Sequence, residues 1–192
     1  PELEPAIVAD LQALVGPDRV LLDAQSLVDY GRDWTRFYQP SAGAVVLPGS
    51  IEEVQRVVRL AARKKLAIVP SGGRTGLSAG AVAVNGELVL ALDRLNRIDD
   101  FNPVDRTVRC GAGVITEQLQ QFAAGHGLFY PVDFASAGSS QIGGNIATNA
   151  GGIKVIHSPE KCIVGHLVIH ILAAPFIGCF ETEANRSEVR CH

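Results

Sequence analysis

Apolar residues recur at helical spacing near the start of the chain. Leu3, Ile7, Leu11, Leu14 and Val15 fall on one face, and Gly16-Pro17 ends the pattern. A polar, aromatic stretch from Tyr30 to Tyr38 follows, with the only tryptophan, Trp34, among Arg32, Asp33 and Arg36, and it reads as a surface loop. Ala44 to Leu47 is a short apolar strand and Pro48-Gly49 a turn. Ser50, three residues before Glu53, has the spacing of a capping box that opens a helix. Ile51, Val54, Val57, Val58 and Ala61 form the apolar stripe of that helix, and Leu66 to Val69 returns as a second strand. Strand, helix and strand at this spacing predict a βαβ unit with parallel strands and a right-handed crossover.

Further on, Leu88 to Leu92 and Thr107 to Cys110 read as strands, and Thr116 as the cap of a helix through Phe122 that ends near Gly125 and Gly127. Two glycine-dense loops punctuate this mixed α and β pattern, Pro70 to Gly80 and Ser136 to Gly152. The chain has 192 residues, 47% hydrophobic and 19% charged, the profile of a soluble globular protein. A chain of this size buries roughly 70% of the surface its unfolded form exposes, so it needs no disulfide or metal to make a core.

Charge and cysteine usage narrow the function. The net charge is -3 and Lys and Arg are scattered, so no field attracts a polyphosphate backbone and no nucleic-acid partner is expected. The basic cluster Arg63-Lys64-Lys65 closes a predicted helix, where cations offset the carbonyl end. No run approaches the roughly 18 apolar residues that span a bilayer, and no basic segment with an apolar run opens the chain, so the expected compartment is cytoplasmic. Methionine is absent even at position 1, which implies a removed initiator or a piece of something longer. The cysteines at 110, 162, 179 and 191 form no CxxC pair, and Cys110 reads as a small buried strand residue.

The first glycine loop follows a parallel strand and carries Gly72, Gly73, Gly76 and Gly80. Glycine permits positive φ and close approach of backbone to a ligand, and successive N–H groups converge on an anion. Ser71, Thr75 and Ser78 add hydroxyls, and Arg74 adds a charged fork of donors. Phosphate is the natural guest. A Walker-type loop is excluded because the chain has no Gly-Lys pair. Gly111-Ala112-Gly113 resembles the start of a dinucleotide fingerprint, but Thr116 stands where Gly or Ala is needed. The second loop sets Gly143-Gly144 and Gly151-Gly152 around Asn145, Thr148 and Asn149. Two such loops suit a diphosphate, and a dinucleotide with a bulky ring would span the gap between them.

The strings PSGGRTGLSAG at 70–80, LALDRLNRI at 90–98 and YPVDFASAGSSQIGGNIATNAGGIKVI at 130–156 resemble the FAD-binding domain of the vanillyl-alcohol oxidase superfamily, the PCMH-type fold. The most similar branch is that of the D-lactate, glycolate and D-2-hydroxyglutarate dehydrogenases. The resemblance implies an α+β fold of two α/β subdomains, the second incomplete, with FAD as cofactor. It divides the chain into an N-terminal helical and loop region, 1–40, an FAD-binding domain, 41–156 (41–80 and 81–156), and an atypical tail, 157–192. It implies that Pro70, Ser71, Gly72, Gly73, Arg74, Thr75, Gly76, Leu77 and Ser78 surround the FAD pyrophosphate. Pro131, Ser136 and Ser139 then lie along the cofactor, and Ile142, Gly143, Gly144, Asn145, Thr148, Asn149 and Gly152 complete the site.

The expected function is the FAD-binding part of an oxidoreductase that takes hydride from a small 2-hydroxy acid. The alternative is a non-catalytic flavin-binding remnant without a substrate cap domain. Two departures bear on this. Ala79 stands where the family has glycine, which narrows the backbone angles there. After Ile156 the family pattern breaks, although Gly165, Leu167 and Val168 echo its next strand. A frameshift or an incomplete gene accounts for such a break, and no catalytic residue is nominated. Cys162, His166 and His170 stack at helical spacing but lack a fourth partner, so no metal is expected.

Overall fold

The computed structural model describes residues 3–151 and the strand Val164–Gly165. The first helix, α1 (Pro5–Val15), has proline in its first turn and stops at Gly16, whose φ of 96° suits glycine. Its buried stripe is Ile7, Leu11 and Val15. A 3-10 turn, Pro17–Arg19, leads into β1 (Val20–Leu21). A helix that the hydrophobic pattern does not announce, α2 (Ala24–Tyr30), is capped by Asp23, which accepts from the Ser26 N–H at 2.9 Å.

After β2 (Ala44–Val46), α3 (Ile51–Lys64) opens as its cap predicts, with the Ser50 hydroxyl accepting from the Glu53 N–H at 3.2 Å. Only half of the capping box forms. The Glu53 carboxylate turns instead to the Gly49 N–H and to Arg19, both at 2.7 Å, and ties the helix start to the 3-10 turn. Strand β3 (Ile68–Ser71) follows, and β4 (Leu88–Ala91) completes the first sheet.

The strand order is β1-β2-β4-β3, with β2 and β3 both parallel to β4 and β1 antiparallel at the edge. The two strands of the expected βαβ unit are thus parallel but not adjacent. Leu88–Ala91, buried at every position, takes the centre because an uninterrupted apolar strand satisfies a sheet covered on both faces. Alternate residues serve opposite cores. Ala44, Val46, Leu88 and Leu90 pack under α1 and α3, whereas Val45, Val89 and Ala91 meet Ala42 and Ala83 on the other face. Strand β4 belongs to this sheet although it lies past residue 80.

The second unit is a sheet of β5 (Ile98–Asn102), β6 (Thr107–Cys110) and Val164–Gly165, which is β7. It is joined by α4 (Thr116–Gly125) and the six-residue α5 (Ile142–Ala147). Val108, Val114, Leu119, Ala123 and Ile142 form its core. The residue that caps α4 is Ile115, one earlier than the sequence suggests, and the Gln118 side chain accepts from its N–H at 3.2 Å. Thr116 is the first helical residue, and its hydroxyl is buried in a polar network at the candidate site. Cys110 is half-buried, and burial pushes its thiol up, so it stays protonated.

Candidate functional site: two glycine loops at the junction of the units

The chain leaves β3 at Ser71 and runs irregularly to Gly80. No backbone carbonyl among the described residues accepts from the N–H groups of residues 72 to 78. Successive peptide donors without internal acceptors are what an anion needs, since each is a fixed dipole that must otherwise be satisfied by water.

Two side chains of this loop, Ser71 and Arg74, look backwards. Ser71 is fully buried and donates to the Tyr30 carbonyl at 3.0 Å. Arg74 lies over the Tyr30 ring, 4.6 Å from its centroid, and pairs with Asp93 at 3.2 Å. Its fork of donors is therefore engaged within the protein. Leu77 points to solvent, 71% exposed.

The loop is held from below by a segment that reads as surface. Trp34 is exposed, but its N–H donates to the Gly76 carbonyl at 3.2 Å. Asp33 is buried and accepts from the Thr35 hydroxyl at 2.7 Å, the Thr35 N–H at 3.0 Å and the Ala79 N–H at 2.9 Å. Burial pushes the Asp33 carboxyl up, but the Thr35 hydroxyl and the N–H groups of Ala79, Thr35 and Arg36 outweigh it and hold the group below its ordinary range. It is a carboxylate that latches the loop.

Positive φ falls on unexpected residues. In the two loops Arg74 (58°), Ala79 (62°) and Asn149 (53°) take it, and none of the described glycines there does. The glycines serve contact instead. A Cβ on Gly73 would run into the Ser139 carbonyl and stand 2.8 Å from Ser140 Cα, so this residue lets the two loops touch. A Cβ on Gly143 would sit 2.7 Å from that of Ala112. Gly76 and Gly144, by contrast, have no heavy atom within 4 Å of where a Cβ would be, so space over them is open. The Gly111 and Gly113 N–H groups donate to Arg97 and Leu95 carbonyls, at 2.8 and 2.9 Å, which explains why this pair makes no phosphate fingerprint.

The second loop is largely occupied with itself. Asn145, buried, donates from Nδ2 to the Thr116 hydroxyl at 2.7 Å, and that hydroxyl lies 2.8 Å from the Ser140 hydroxyl. Ile142 is 2% exposed and belongs to the core. The Thr148 hydroxyl donates to the Gly144 carbonyl at 2.8 Å, the Ser136 carbonyl accepts from the Ser139 and Ser140 N–H groups, and Asn149 is exposed. Pro131 is half-buried beside Val132, whose carbonyl accepts from Gln120 at 2.7 Å. Gly152 and the cysteine and histidine ladder at 162, 166 and 170 lie outside the described residues.

One residue that the sequence reading passed over lies between the loops. Gln141 is 5% exposed, and its Oε1 has no hydrogen-bond partner among the described residues. An orphaned buried acceptor costs about 1–3 kcal/mol. Beside the loops, a cavity of about 360 Å³ is lined by Arg32, Asp33, Trp34, Arg36, Gly73, Thr75 and Ser139, among others.

The model of the FAD binding domain family matches residues 42–169. The chain belongs to that family. The D-2-hydroxyglutarate dehydrogenase of Stutzerimonas stutzeri (strain A1501) is 62% identical over 153 residues, 80% of this chain and 33% of that protein. The enzyme of the same name from Xanthomonas citri pv. viticola is 58% identical over 149 residues, 78% of this chain and 32% of that protein. The chain thus spans about a third of the length of the curated relatives it matches. Among solved structures, alkyldihydroxyacetonephosphate synthase superposes with a TM-score of 0.72 at 24% identity, covering 79% of this chain and 33% of that one. P-cresol methylhydroxylase gives 0.59 at 25% identity, over 73% of this chain and 28% of that one. The fold is the PCMH-type α+β fold, and the cofactor of the FAD binding domain family is FAD.

The described residues fit that cofactor. The arc at 72–78 offers donors for a pyrophosphate, and open space lies over Gly76 and Gly144. Of the site predicted from sequence, the fold brings Gly72 and Gly73 against Ser139, Ser140 and Gln141. Ser71, Arg74, Ile142, Gly143 and Asn145 also contact neighbouring segments that hold the loops in place. Asp33 and Thr116, which the sequence reading did not nominate, bond to the two loops, and Gln141 is buried between them. The only sequence signal for Asp33 is an acidic residue two before a threonine, a weak sign of an Asx turn.

No helix among the described residues is long and apolar enough to cross a membrane, and no group of metal-ligating side chains gathers among them.

Proposed function

We propose that this chain is the FAD-binding part of an oxidoreductase that oxidises a small 2-hydroxy acid. The observation that carries the cofactor half is the run of peptide N–H groups at 72–78, which find no backbone acceptor among the described residues. The names of the relatives at 62% and 58% identity support the substrate class. Bound FAD supplies the redox chemistry, accepting hydride from the carbon that bears the hydroxyl.

The work of the chain itself is binding and orientation. Peptide dipoles at 72–78 meet the phosphates without needing a cationic side chain, because Arg74 is already paired with Asp93. The Asp33 carboxylate and the Trp34 N–H fix the loop before any ligand arrives, so little ordering cost remains for binding.

The test is a titration of the purified chain with FAD, followed by flavin absorbance and fluorescence, beside Gly76→Val. The substitution meets open space, so its melting temperature stays at that of the wild type while FAD affinity falls on the order of tenfold or more. A folded wild-type chain that leaves added FAD unperturbed overturns the proposal. FAD uptake without oxidation of D-2-hydroxyglutarate assigns the chain to flavin binding alone.

A further inference from the structure

Trp34, the single tryptophan of the chain, is 68% exposed although its backbone is fixed. Its peptide N–H donates to the Gly76 carbonyl at 3.2 Å, and the residue before it is the buried Asp33, which accepts from the Ala79 N–H at 2.9 Å. The indole is thus presented from a clamped backbone. Phe37 and Tyr38 are exposed as well, but of these three rings Trp34 alone lines the cavity beside the glycine loops, together with Gly73, Thr75 and Ser139.

The charges around that cavity are largely spent. Arg32 pairs with Asp29 at 2.7 Å and Arg74 with Asp93 at 3.2 Å, and the Asp33 carboxylate is bonded to Thr35 and Ala79. What is left uncovered is the flat apolar face of the indole, which gains by being stacked upon. Arg36 lines the cavity too, and a guanidinium plane also stacks on a ring. At about 360 Å³ the cavity lies at the lower end of the range of ligand pockets, which suits one part of a dinucleotide and not the whole.

Gly73 and Thr75 belong both to this lining and to the arc of peptide donors at 72–78. A dinucleotide carries a planar ring on each side of its diphosphate, so phosphates on the arc leave a ring within reach of the cavity. Resting on the FAD reading above, we infer that Trp34 is a cofactor-binding residue. Its indole stacks on one of the two planar rings of FAD, adenine or isoalloxazine, in the cavity at Gly73 and Thr75.

Trp34→Phe keeps a flat ring, whereas Trp34→Leu keeps an apolar side chain without one. The indole is exposed and its tie to Gly76 is through the backbone, so both cofactor-free variants are expected to melt with the wild type. In the FAD titration the leucine variant is expected to lose about tenfold in affinity and the phenylalanine variant no more than about threefold. Wild-type affinity in the leucine variant overturns the inference and leaves the FAD reading intact. Equal losses in the two variants, or weaker binding that follows a lowered melting temperature, overturn it as well and make Trp34 a scaffold residue. If the folded wild-type chain takes up no FAD, the reading itself fails first. Because Trp34 is the single tryptophan, its emission then identifies the ring: ADP, which does not absorb that light, dims it if adenine is the partner. Emission unchanged by ADP, with the leucine variant still weakened towards FAD, assigns the isoalloxazine, and either ring sustains the inference.

Discussion

The two glycine-rich segments look interchangeable as strings, yet the fold uses them differently. The segment at 71–80 leaves the peptide donors of residues 72 to 78 without a backbone acceptor among the described residues and is pinned from behind by Asp33, Trp34, Tyr30 and Asp93. The segment at 136–149 spends its donors on its own turns and on α5, and places its polar side chains in a buried network with Thr116. One offers hydrogen bonds to a guest. The other builds the wall against which the first is set, and its Gln141 side-chain oxygen has no partner among the described residues.

The contact between the two is the most sensitive point. Gly73→Val pushes a side chain into the Ser139 and Ser140 backbone, so the segments must part; we expect a loss of about 3 kcal/mol in urea unfolding and no measurable FAD uptake. Removing the wall's network is next. Asn145→Ala leaves the Thr116 hydroxyl without its buried donor and is expected to cost about 2 kcal/mol, with FAD affinity falling only as the folded fraction does.

The latch beneath the first segment gives a pH test. The Asp33 carboxyl is held below its unfolded value of about 3.9, so its stabilisation is in place above that value and is lost as pH falls through the lower, folded one. Asp33→Asn, compared with wild type by urea unfolding between pH 7 and pH 3, is expected to flatten the acid limb. Its effect at neutral pH is about 1 kcal/mol. An acid limb identical in both would show that another group governs it.

The smallest expected effect is a gain. Ala79 sits at φ 62° because its N–H is drawn to Asp33, and an L-residue in that region is strained. Ala79→Gly is expected to add about 1 kcal/mol and to leave FAD affinity unchanged. A loss instead would mean that the Ala79 methyl contributes packing that outweighs the strain.

Much of the scaffold was legible in advance. The stripes of α1 and α3, the Ser50 cap, and the strands at 44–46, 88–91 and 107–110 follow from period and capping chemistry, which are local. The elements that were missed are the short ones. Helix α2 has no buried residue and β5 places Asp99 and Asp100 outside, so neither carries a strong period. Helix α5 hides inside a glycine-rich string whose composition argues for a loop.

The sequence by itself determined the mixed α and β class, the two glycine-rich segments and, through the long strings that carry the family resemblance, the cofactor. Those properties reside in consecutive residues, where composition and spacing speak directly. Only the tertiary structure decided what each residue does. It inserted β4 between β2 and β3, turned Arg74 inward to Asp93, and made Asp33 a latch 46 residues from the peptide it holds. It also buried Gln141 between the two segments. Whether a polar group faces a guest or a neighbour depends on what distant chain segments bring beside it, and burial rather than identity sets what that pairing is worth.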